Sequence, residues 1–217
     1  KSQMVLALGV EHSAQAAEAQ REVTDMTNTL LRKNAEKLKL STIETAKESE
    51  RGIVEGDGKG NFHPKLDVRR DHAAKIIAGV LGLNTTDVVN PQFKDVSTNH
   101  PQYGAIAALK EAGIISGDGT GNYLPAKDLT RGEMAKIIAN AFGLEVPADS
   151  KTPFTGVKGN MFEQYITALY VNGVTNGVGN NKFNPSGVVT REQLAAFIVR
   201  AEEIVAGEVV DKAGSVQ

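Results

Sequence analysis

The sequence predicts a mainly α-helical fold made of three helix-turn-helix repeats that follow a long N-terminal helix. A glycine-rich turn occurs three times, as VEGDGKGNFHP at 54–64, ISGDGTGNYLP at 115–125 and TNGVGNNKFNP at 175–185. A regular spacing of about 60 residues marks a repeated fold unit rather than a local accident. Each turn also stands between stretches that read as helix. Units of this size are individually small, so we expect them to pack on one shared core.

Residues 1–51 form the predicted N-terminal helical segment, because the chain contains no glycine or proline from Val10 to Arg51. A straight helix of that length would reach ~60 Å, so part of it must leave a compact domain or break. The apolar stretch MVLALGV near its start is well below the ~20 residues that span a bilayer. We therefore expect no membrane insertion, and we expect that any export signal was removed or never present.

The predicted repeats occupy residues 52–90, 91–150 and 151–206, and a C-terminal tail follows at 207–217. Repeat 1 is incomplete, because no Phe-x-Asp-Val element precedes Gly52. Its first helix is therefore supplied by the N-terminal segment.

The second helix of repeats 2 and 3 has a strong start signal. Thr130 with Glu133, and Thr190 with Gln193, each fit a capping box. Gly113 stands where a helix ends in a left-handed residue. The apolar faces that follow predict one core helix per repeat, through Met134, Ile137, Ile138, Leu194, Phe197 and Ile198.

Composition and motifs argue against several functions. With 24 basic and 26 acidic side chains, the chain lacks the bulk positive charge of a nucleic-acid binder. It has no cysteine, and its four histidines are scattered without metal-ligand spacing. An EF-hand starting at Asp118 would need an oxygen ligand where Leu129 stands, and the dinucleotide fingerprint would need a glycine at Asn122. No nucleophile elbow occurs. We expect no enzyme activity, metal or cofactor.

The repeated cassette resembles the S-layer homology domain. Its elements are Phe-x-Asp-Val, an Ala-Ile-x-x-Leu helix, a Gly-x-Gly turn, Phe-x-Pro and Leu-Thr-Arg-x-Glu, and the resemblance covers about residues 52–206. A second resemblance, over residues 24–54, is to the toxic-anion (tellurite) resistance family.

The S-layer resemblance implies a pseudo-threefold spindle around a central three-helix bundle. It also implies non-covalent anchoring of a surface protein to the bacterial cell wall. The grooves between the prongs of the spindle would bind secondary cell wall polymer on peptidoglycan, through its pyruvylated amino sugar. The implied location is extracellular, in the cell wall or S-layer, with possible self-association as an S-layer.

Three arginines at one register of the repeats, Arg70, Arg131 and Arg191, are the leading candidates for polymer binding. Arg131 follows the N-cap residue, where the helix dipole disfavours a cation by ~0.3–1 kcal/mol. A guanidinium beside free first-turn amides makes sense if an outside carboxylate binds both, and a pyruvyl ketal would fit. The alternative is an intramolecular bridge from each arginine to an acid such as Asp95 or Glu133.

The other candidate ligand-binding residues come from repeat 2, whose motifs are the most complete. Tyr103 could stack on a sugar, although core packing is the competing role. Backbone amides of the glycine-rich turn could contact hydroxyl groups, although the turn also has a structural role. Together with the residues of the repeated motifs, the candidate ligand-binding residues of repeat 2 are Asp95, Tyr103, Gly117, Gly119, Thr130 and Glu133.

Two rival functions remain open from the sequence. The chain could be a helical interaction or regulatory protein that acts through its N-terminal helix, with the repeats as a scaffold. It could also be a fragment of a carbohydrate-active enzyme whose catalytic domain lies elsewhere. Sedimentation with cell-wall sacculi separates the anchoring function from the first rival.

Overall fold

The structure is a computed structural model, and it describes residues 63–214. The predicted N-terminal segment and the start of repeat 1 lie outside the described residues. Within them, extended pairing is limited to isolated β-bridges, so the predicted mainly α class is confirmed. The helices are α1 (Arg70–Val80), α2 (Tyr103–Glu111), α3 (Arg131–Ala141), α4 (Glu163–Val171) and α5 (Arg191–Gly214).

The helices follow the predicted repeats. Helix α1 is the second helix of repeat 1, α2 and α3 belong to repeat 2, and α4 and α5 belong to repeat 3. Helix α1 packs against α2, and α3 packs against α4, so each of these pairs crosses a repeat boundary. Helix α5 continues to Gly214 and thus enters the stretch that the sequence analysis assigned to a tail.

The predicted start signals operate as capping boxes. The Glu133 amide donates to Thr130 Oγ1 at 3.3 Å, and the Thr130 amide donates to Glu133 Oε2 at 2.9 Å. The Thr190 amide likewise donates to Gln193 Oε1 at 3.1 Å. Helix α1 has Arg69 at its N-cap and no side-chain cap bond. Gly113, just past the C-cap of α2, has φ +72°, as its position predicted.

The predicted apolar faces meet in one hydrophobic core. Ile77, Ile138 and Ile198 occupy the same register in α1, α3 and α5, and all three are fully buried. Met134 and Leu194 lie beside them and are also buried. The shared core that the size of the repeats required is therefore present.

A closed ring of backbone hydrogen bonds joins the three repeats. The Val68 amide donates to Val189 O at 2.9 Å, Val189 to Leu129 O at 2.9 Å, and Leu129 to Val68 O at 2.7 Å. All three residues are buried. Each repeat thus donates to one neighbour and accepts from the other. The predicted spindle shape and central bundle stay predictions.

The N-termini of α1, α3 and α5 form a second cyclic arrangement. The first two amides of each helix donate to carbonyl groups of the turn of another repeat, at 2.8–3.1 Å. The turn of repeat 2 serves α1, that of repeat 3 serves α3, and that of repeat 1 serves α5. The accepting carbonyls belong to Lys127 and Pro125, Gly187 and Pro185, and Leu66 and Pro64, respectively.

Candidate functional site: two grooves between repeats

A groove of about 450 Å³ lies where the three repeats meet; we call it the Arg70 groove. Repeat 1 contributes Arg70, repeat 2 contributes its glycine-rich turn and one face of α3, and repeat 3 contributes the residues before α4. The groove is lined by polar and aromatic side chains and by two glycines of the turn: Arg70, Ser116, Gly117, Asp118, Gly119, Lys127, Glu133, Lys136 and Phe162.

Arg70 is held from several sides and is largely buried. Its Nε donates to Tyr123 O at 2.9 Å, and its Nη1 lies 2.8 Å from Glu133 Oε1. The guanidinium carbon is 4.7 Å from the centre of the Tyr123 ring, a cation–π distance. For this arginine, the structure contains the intramolecular bridge that the sequence analysis gave as the alternative.

Tyr123 fixes the other end of this contact. Its ring is buried, and its hydroxyl donates to Arg70 O at 3.0 Å. Burial raises the pKa of Tyr123, so the phenol stays neutral and remains a donor. Tyr123 therefore belongs to the core and is not available for stacking on a sugar.

The first-turn amides beside the arginines are not free. We expected them to be open to an outside anion, and this is wrong for all three helices. The amides of Arg70, Arg131 and Arg191 already donate to carbonyl groups of a neighbouring repeat. The sequence could not reveal this, because the acceptors lie in other repeats. An anion in the grooves therefore cannot use these amides.

Glu133 lines the Arg70 groove, and Thr130 holds Glu133 through the helix cap. Thr130 is the N-cap of α3 and is occupied by the capping box. Glu133 uses one carboxylate oxygen for that box and the other for Arg70. Lys127 Nζ is 3.7 Å from the same Glu133 oxygen, with half of the Lys127 side chain exposed.

Asp95 stabilises the end of the glycine-rich turn by accepting two hydrogen bonds from its backbone. Its Oδ1 accepts from the Tyr123 amide and its Oδ2 from the Leu124 amide, both at 2.8 Å. Asp95 does not line either of the grooves described. Gly156 takes this position in repeat 3, with φ +73°.

The glycines of the turn line the Arg70 groove, as their candidate role requires. A Cβ on Gly117 would lie 2.6 Å from Asn122 O and 2.9 Å from the Phe93 ring, so the turn is close-packed there. Gly119 has φ +86°, which favours glycine. Between them, Asp118 accepts hydrogen bonds from Thr120 and Asn122, which lower the pKa of Asp118.

Tyr103 is the first residue of α2, is half-buried and packs against the core. It is not among the residues lining the two grooves described. The aromatic side chain of the Arg70 groove is Phe162. It fits there because residue 132 is glycine: a Cβ at Gly132 would lie 2.3 Å from the Phe162 ring.

A second groove, of about 650 Å³, repeats this construction one repeat further along; we call it the Arg131 groove. Arg131 Nε donates to Phe183 O at 2.7 Å, and the guanidinium carbon is 4.6 Å from the Phe183 ring centre. Gln193 stands where Glu133 stands in the first groove. Burial lowers the pKa of the Arg131 guanidinium, which still stays protonated at neutral pH.

The two grooves differ in charge. The Arg70 groove is lined by three basic residues (Arg70, Lys127 and Lys136) and two acidic ones (Asp118 and Glu133). The Arg131 groove is lined by three basic residues and one acidic one: Lys65, Arg131, Arg200 and Glu192. Lys65 pairs with Glu192. Both grooves thus carry an excess of positive side chains although the whole chain is slightly acidic.

Arg191 takes the same position at the first residue of α5. It is half-buried, and burial lowers the pKa of its guanidinium. By register its groove would use the glycine-rich turn of repeat 1, most of which lies outside the described residues.

Sequence reasoning missed the lysines of the Arg70 groove. Lys136 lies one turn after Glu133 on α3, and its Nζ donates to Ser116 Oγ at 2.8 Å. Spacing of i and i+3 places both residues on one helix face, so this signal was present. Lys127 has Leu66 and Gly187 at its equivalent positions. Lys127 is therefore missed when only residues shared by all three repeats are considered.

The comparison with known families gives two matches. The S-layer homology domain profile matches residues 49–74, 92–135 and 153–195, which together make up just over half of the chain. The chain belongs to the S-layer homology domain family. A second profile, that of the toxic anion resistance protein (TelA), matches residues 1–57. Both resemblances seen in the sequence are thereby confirmed.

Several curated proteins resemble the S-layer homology repeats. A protein of Bacillus anthracis described as an uncharacterized cell wall amidase is 36% identical over 151 residues, covering 69% of this chain and 28% of that protein. The surface-layer 125 kDa protein of Lysinibacillus sphaericus is 36% identical over 166 residues, covering 74% of this chain and 14% of its own length. The cellulosome-anchoring protein of Acetivibrio thermocellus is 28% identical over 158 residues, with coverages of 70% and 35%.

The chain therefore spans between about one seventh and one third of the length of these relatives. Membership of the S-layer homology family, together with the S-layer relatives, indicates a cell-surface location associated with the cell wall. In the part of the chain that the structure describes, no helix is both long and apolar enough to cross a membrane. The same part contains no cluster of three potential metal-ligating side chains.

Proposed function

We propose that this chain anchors a surface protein non-covalently to the bacterial cell wall, by binding secondary cell wall polymer in the grooves between its repeats. The recognised unit is a pyruvylated amino sugar, and the module is not catalytic. Family membership and the surface-layer and anchoring relatives support wall attachment. The polymer and its pyruvylated amino sugar are what the S-layer homology resemblance implies, and the side chains of the grooves suit such a ligand.

The observation that carries the proposal is that two inter-repeat grooves share one construction. Each combines a buried arginine, a glycine-rich turn and further basic side chains. A pyruvyl ketal adds one carboxylate to a sugar that otherwise offers hydroxyl and amide groups. Such a ligand needs a cation, hydrogen-bonding partners and an apolar surface, and the Arg70 groove supplies all three.

Roles within the Arg70 groove follow from its existing contacts. Arg70 and Glu133 are paired with each other, so they form the wall and hold it in place. Lys127 and Lys136 have partly exposed side chains and meet the carboxylate. Phe162 gives the sugar ring an apolar face, and the backbone at Gly117 and Gly119 faces its hydroxyl groups.

In the Arg131 groove the arginine itself meets the anion. Its register partner, Gln193, is neutral, so no carboxylate at that position competes for the guanidinium. Thr130, Asp95 and Tyr103 act indirectly, through the helix cap, the turn and the core. Its shared register with Arg131 makes Arg191 a further proposed contact of the polymer.

Sedimentation with purified sacculi tests the proposal. The parent chain should pellet with sacculi and remain in the supernatant after the secondary polymer has been removed chemically. Lys127→Ala and Lys136→Ala should each lower the affinity about 10- to 150-fold, the value of one charge-assisted contact of ~1.5–3 kcal/mol. Lys158→Ala is the matched control, because Lys158 is exposed and lies outside both grooves. Equal pelleting with stripped sacculi would refute polymer binding.

The match of residues 1–57 to the toxic anion resistance profile supports a second candidate, in which the chain acts as an interaction protein through its N-terminal helical segment. This candidate predicts the same sedimentation with intact and stripped sacculi, and it predicts that substitution of the groove lysines leaves sedimentation unchanged.

Self-association as an S-layer is a separate proposal. Sedimentation velocity over a range of chain concentrations tests it.

A further inference from the structure

A third cavity, of about 470 Å³, opens between α3, α4 and the loop that joins them; we call it the Tyr165 cavity. Its side-chain groups are mostly uncharged: the amides of Asn140 and Gln164, the hydroxyl of Ser150, the ring of Tyr165 and the aliphatic surface of Val146. Asp149 is its one acidic lining residue, and no lysine or arginine lines it. This composition suits a neutral, hydroxyl-rich ligand and not an anion.

The Tyr165 cavity follows the Arg70 groove along the same pair of helices. On α3, Lys136 and Ile137 line the groove while Asn140 lines the cavity. On α4, Gln164 and Tyr165 line the cavity, two and three residues after Phe162 of the groove. From Lys136, which meets the carboxylate in the proposed function, to Asn140 of the cavity the helix rises about 6 Å.

Lys136 and Asn140 connect the two spaces physically. Lys136 Nζ lies 5.8 Å from the centre of the Tyr165 ring and also donates to Ser116 of the groove. Asn140 Nδ2 donates at 3.3 Å to the carbonyl of Ile114, another residue of the groove wall. The lining of one space is thus in contact with the lining of the other.

The loop side of the Tyr165 cavity is held in place by hydrogen bonds. Asn172 Nδ2 of the α4 C-cap donates to Glu145 O at 2.9 Å, and the Ser150 amide donates to Pro147 O at 3.1 Å. A preformed wall reduces the conformational entropy lost on binding. These bonds therefore fix the backbone of the loop that forms one wall of the cavity.

We propose that the Tyr165 cavity is a second carbohydrate subsite, which takes a neutral sugar of the same polymer chain whose charged unit occupies the Arg70 groove. The proposal rests on the function proposed above. The sugar ring packs on Tyr165, and its hydroxyl groups pair with Asn140, Ser150 and Gln164. The module then recognises an oligosaccharide with one charged and one neutral unit, through Lys136 and Asn140, which lie about 6 Å apart along the axis of α3.

The test compares ligand length. Isothermal titration calorimetry of the full chain uses the pyruvylated amino sugar as a monosaccharide and size-fractionated oligosaccharides of the polymer that keep the ketal. We expect the oligosaccharides to bind the parent chain about tenfold more tightly than the monosaccharide. Tyr165→Leu, which keeps apolar volume and removes the flat ring, should lose most of that gain, and Tyr165→Phe should keep it.

Gln164→Ala provides an independent variant, because Gln164 is exposed and its truncation leaves the core intact. It should weaken oligosaccharide binding about threefold and leave monosaccharide binding within twofold of the parent. Thermal melting followed by circular dichroism checks that each variant is folded.

The outcomes separate the two proposals. If the monosaccharide binds and length adds nothing, the subsite is refuted while the proposed function stands. If Tyr165→Leu weakens both probes equally, the ring acts only through Lys136, and the subsite is refuted as well. Binding of a peptidoglycan stem peptide in place of the longer saccharide would assign the cavity to another ligand. If no saccharide of any length binds, both proposals are wrong.

Discussion

Glu133→Gln separates the structural role of the Arg70 groove wall from its charge. The substitution keeps an oxygen that can complete the capping box with Thr130, as Gln193 does with Thr190. It removes the carboxylate that pairs with Arg70 at 2.8 Å. The variant thus gives the Arg70 groove the chemistry that the Arg131 groove already has.

The expected loss of stability follows from the burial of the pair. Both side chains are largely buried, with 10% of Arg70 and 18% of Glu133 exposed, so solvent screens the pair only partly. A hydrogen bond to a charged group contributes ~1.5–3 kcal/mol and a neutral one ~0.5–1.5 kcal/mol. Since the one oxygen of glutamine stays in the capping box and its NH2 group cannot accept from Arg70, we expect the free energy of unfolding to fall by ~1.5–3 kcal/mol.

Two measurements check this. Urea denaturation at neutral pH gives the change in the free energy of unfolding, and sacculus sedimentation gives the change in polymer binding. Binding should strengthen, because the groove loses one negative charge and Arg70 becomes available to the ligand. The reverse variant, Gln193→Glu, should weaken binding in the Arg131 groove. Unchanged stability together with weaker binding in Glu133→Gln would refute the assignment of Glu133 to the wall, and would make it a ligand contact.

Three further substitutions test the turn and the groove lining, each by urea denaturation. Leu124 has φ +61°, a conformation that costs a non-glycine residue ~1–2 kcal/mol. Leu124→Asn should therefore raise the free energy of unfolding by about half that cost. A lower free energy of unfolding in the variant would mean that the leucine side chain stabilises the fold by more than this strain. Asp95→Asn should lower it by ~1–2 kcal/mol, because an amide offers one acceptor oxygen for the two turn amides at 2.8 Å; no change would make one of those bonds dispensable. Gly132→Ala should lower the free energy of unfolding by up to ~2 kcal/mol, because the new Cβ would meet the Phe162 ring at an overpacking cost of ~1–3 kcal/mol, of which helix propensity returns ~1 kcal/mol.

The sequence was sufficient to predict what depends on local chemistry. The capping box at Thr130 set the first residue of α3, and Gly113 marked the end of α2, because each signal acts within one turn of helix. The buried face of α3 also followed from spacing alone. These features need no knowledge of how one repeat meets the next.

The contacts of the arginines could not be predicted in the same way. The carbonyl that Arg131 reaches belongs to Phe183, 52 residues further along the chain, and Glu133 meets Arg70 across a repeat boundary. A repeat period gives the register of equivalent residues, but not which repeat lies beside which. The sequence therefore identified the arginines and left open whether they bind an outside anion or a neighbouring repeat.

The cyclic hydrogen bonding explains why the grooves depend on all three repeats. The first two amides of each core helix are satisfied only by the turn of another repeat, and a buried amide left without a partner costs ~1–3 kcal/mol. A repeat on its own would leave both amides unpaired and one edge of the Val68, Leu129 and Val189 ring open. Each groove also takes its lining from more than one repeat. Closing the ring and forming the grooves are therefore one event, so a change that opens the ring at any repeat should impair binding in grooves that do not contain the altered residue.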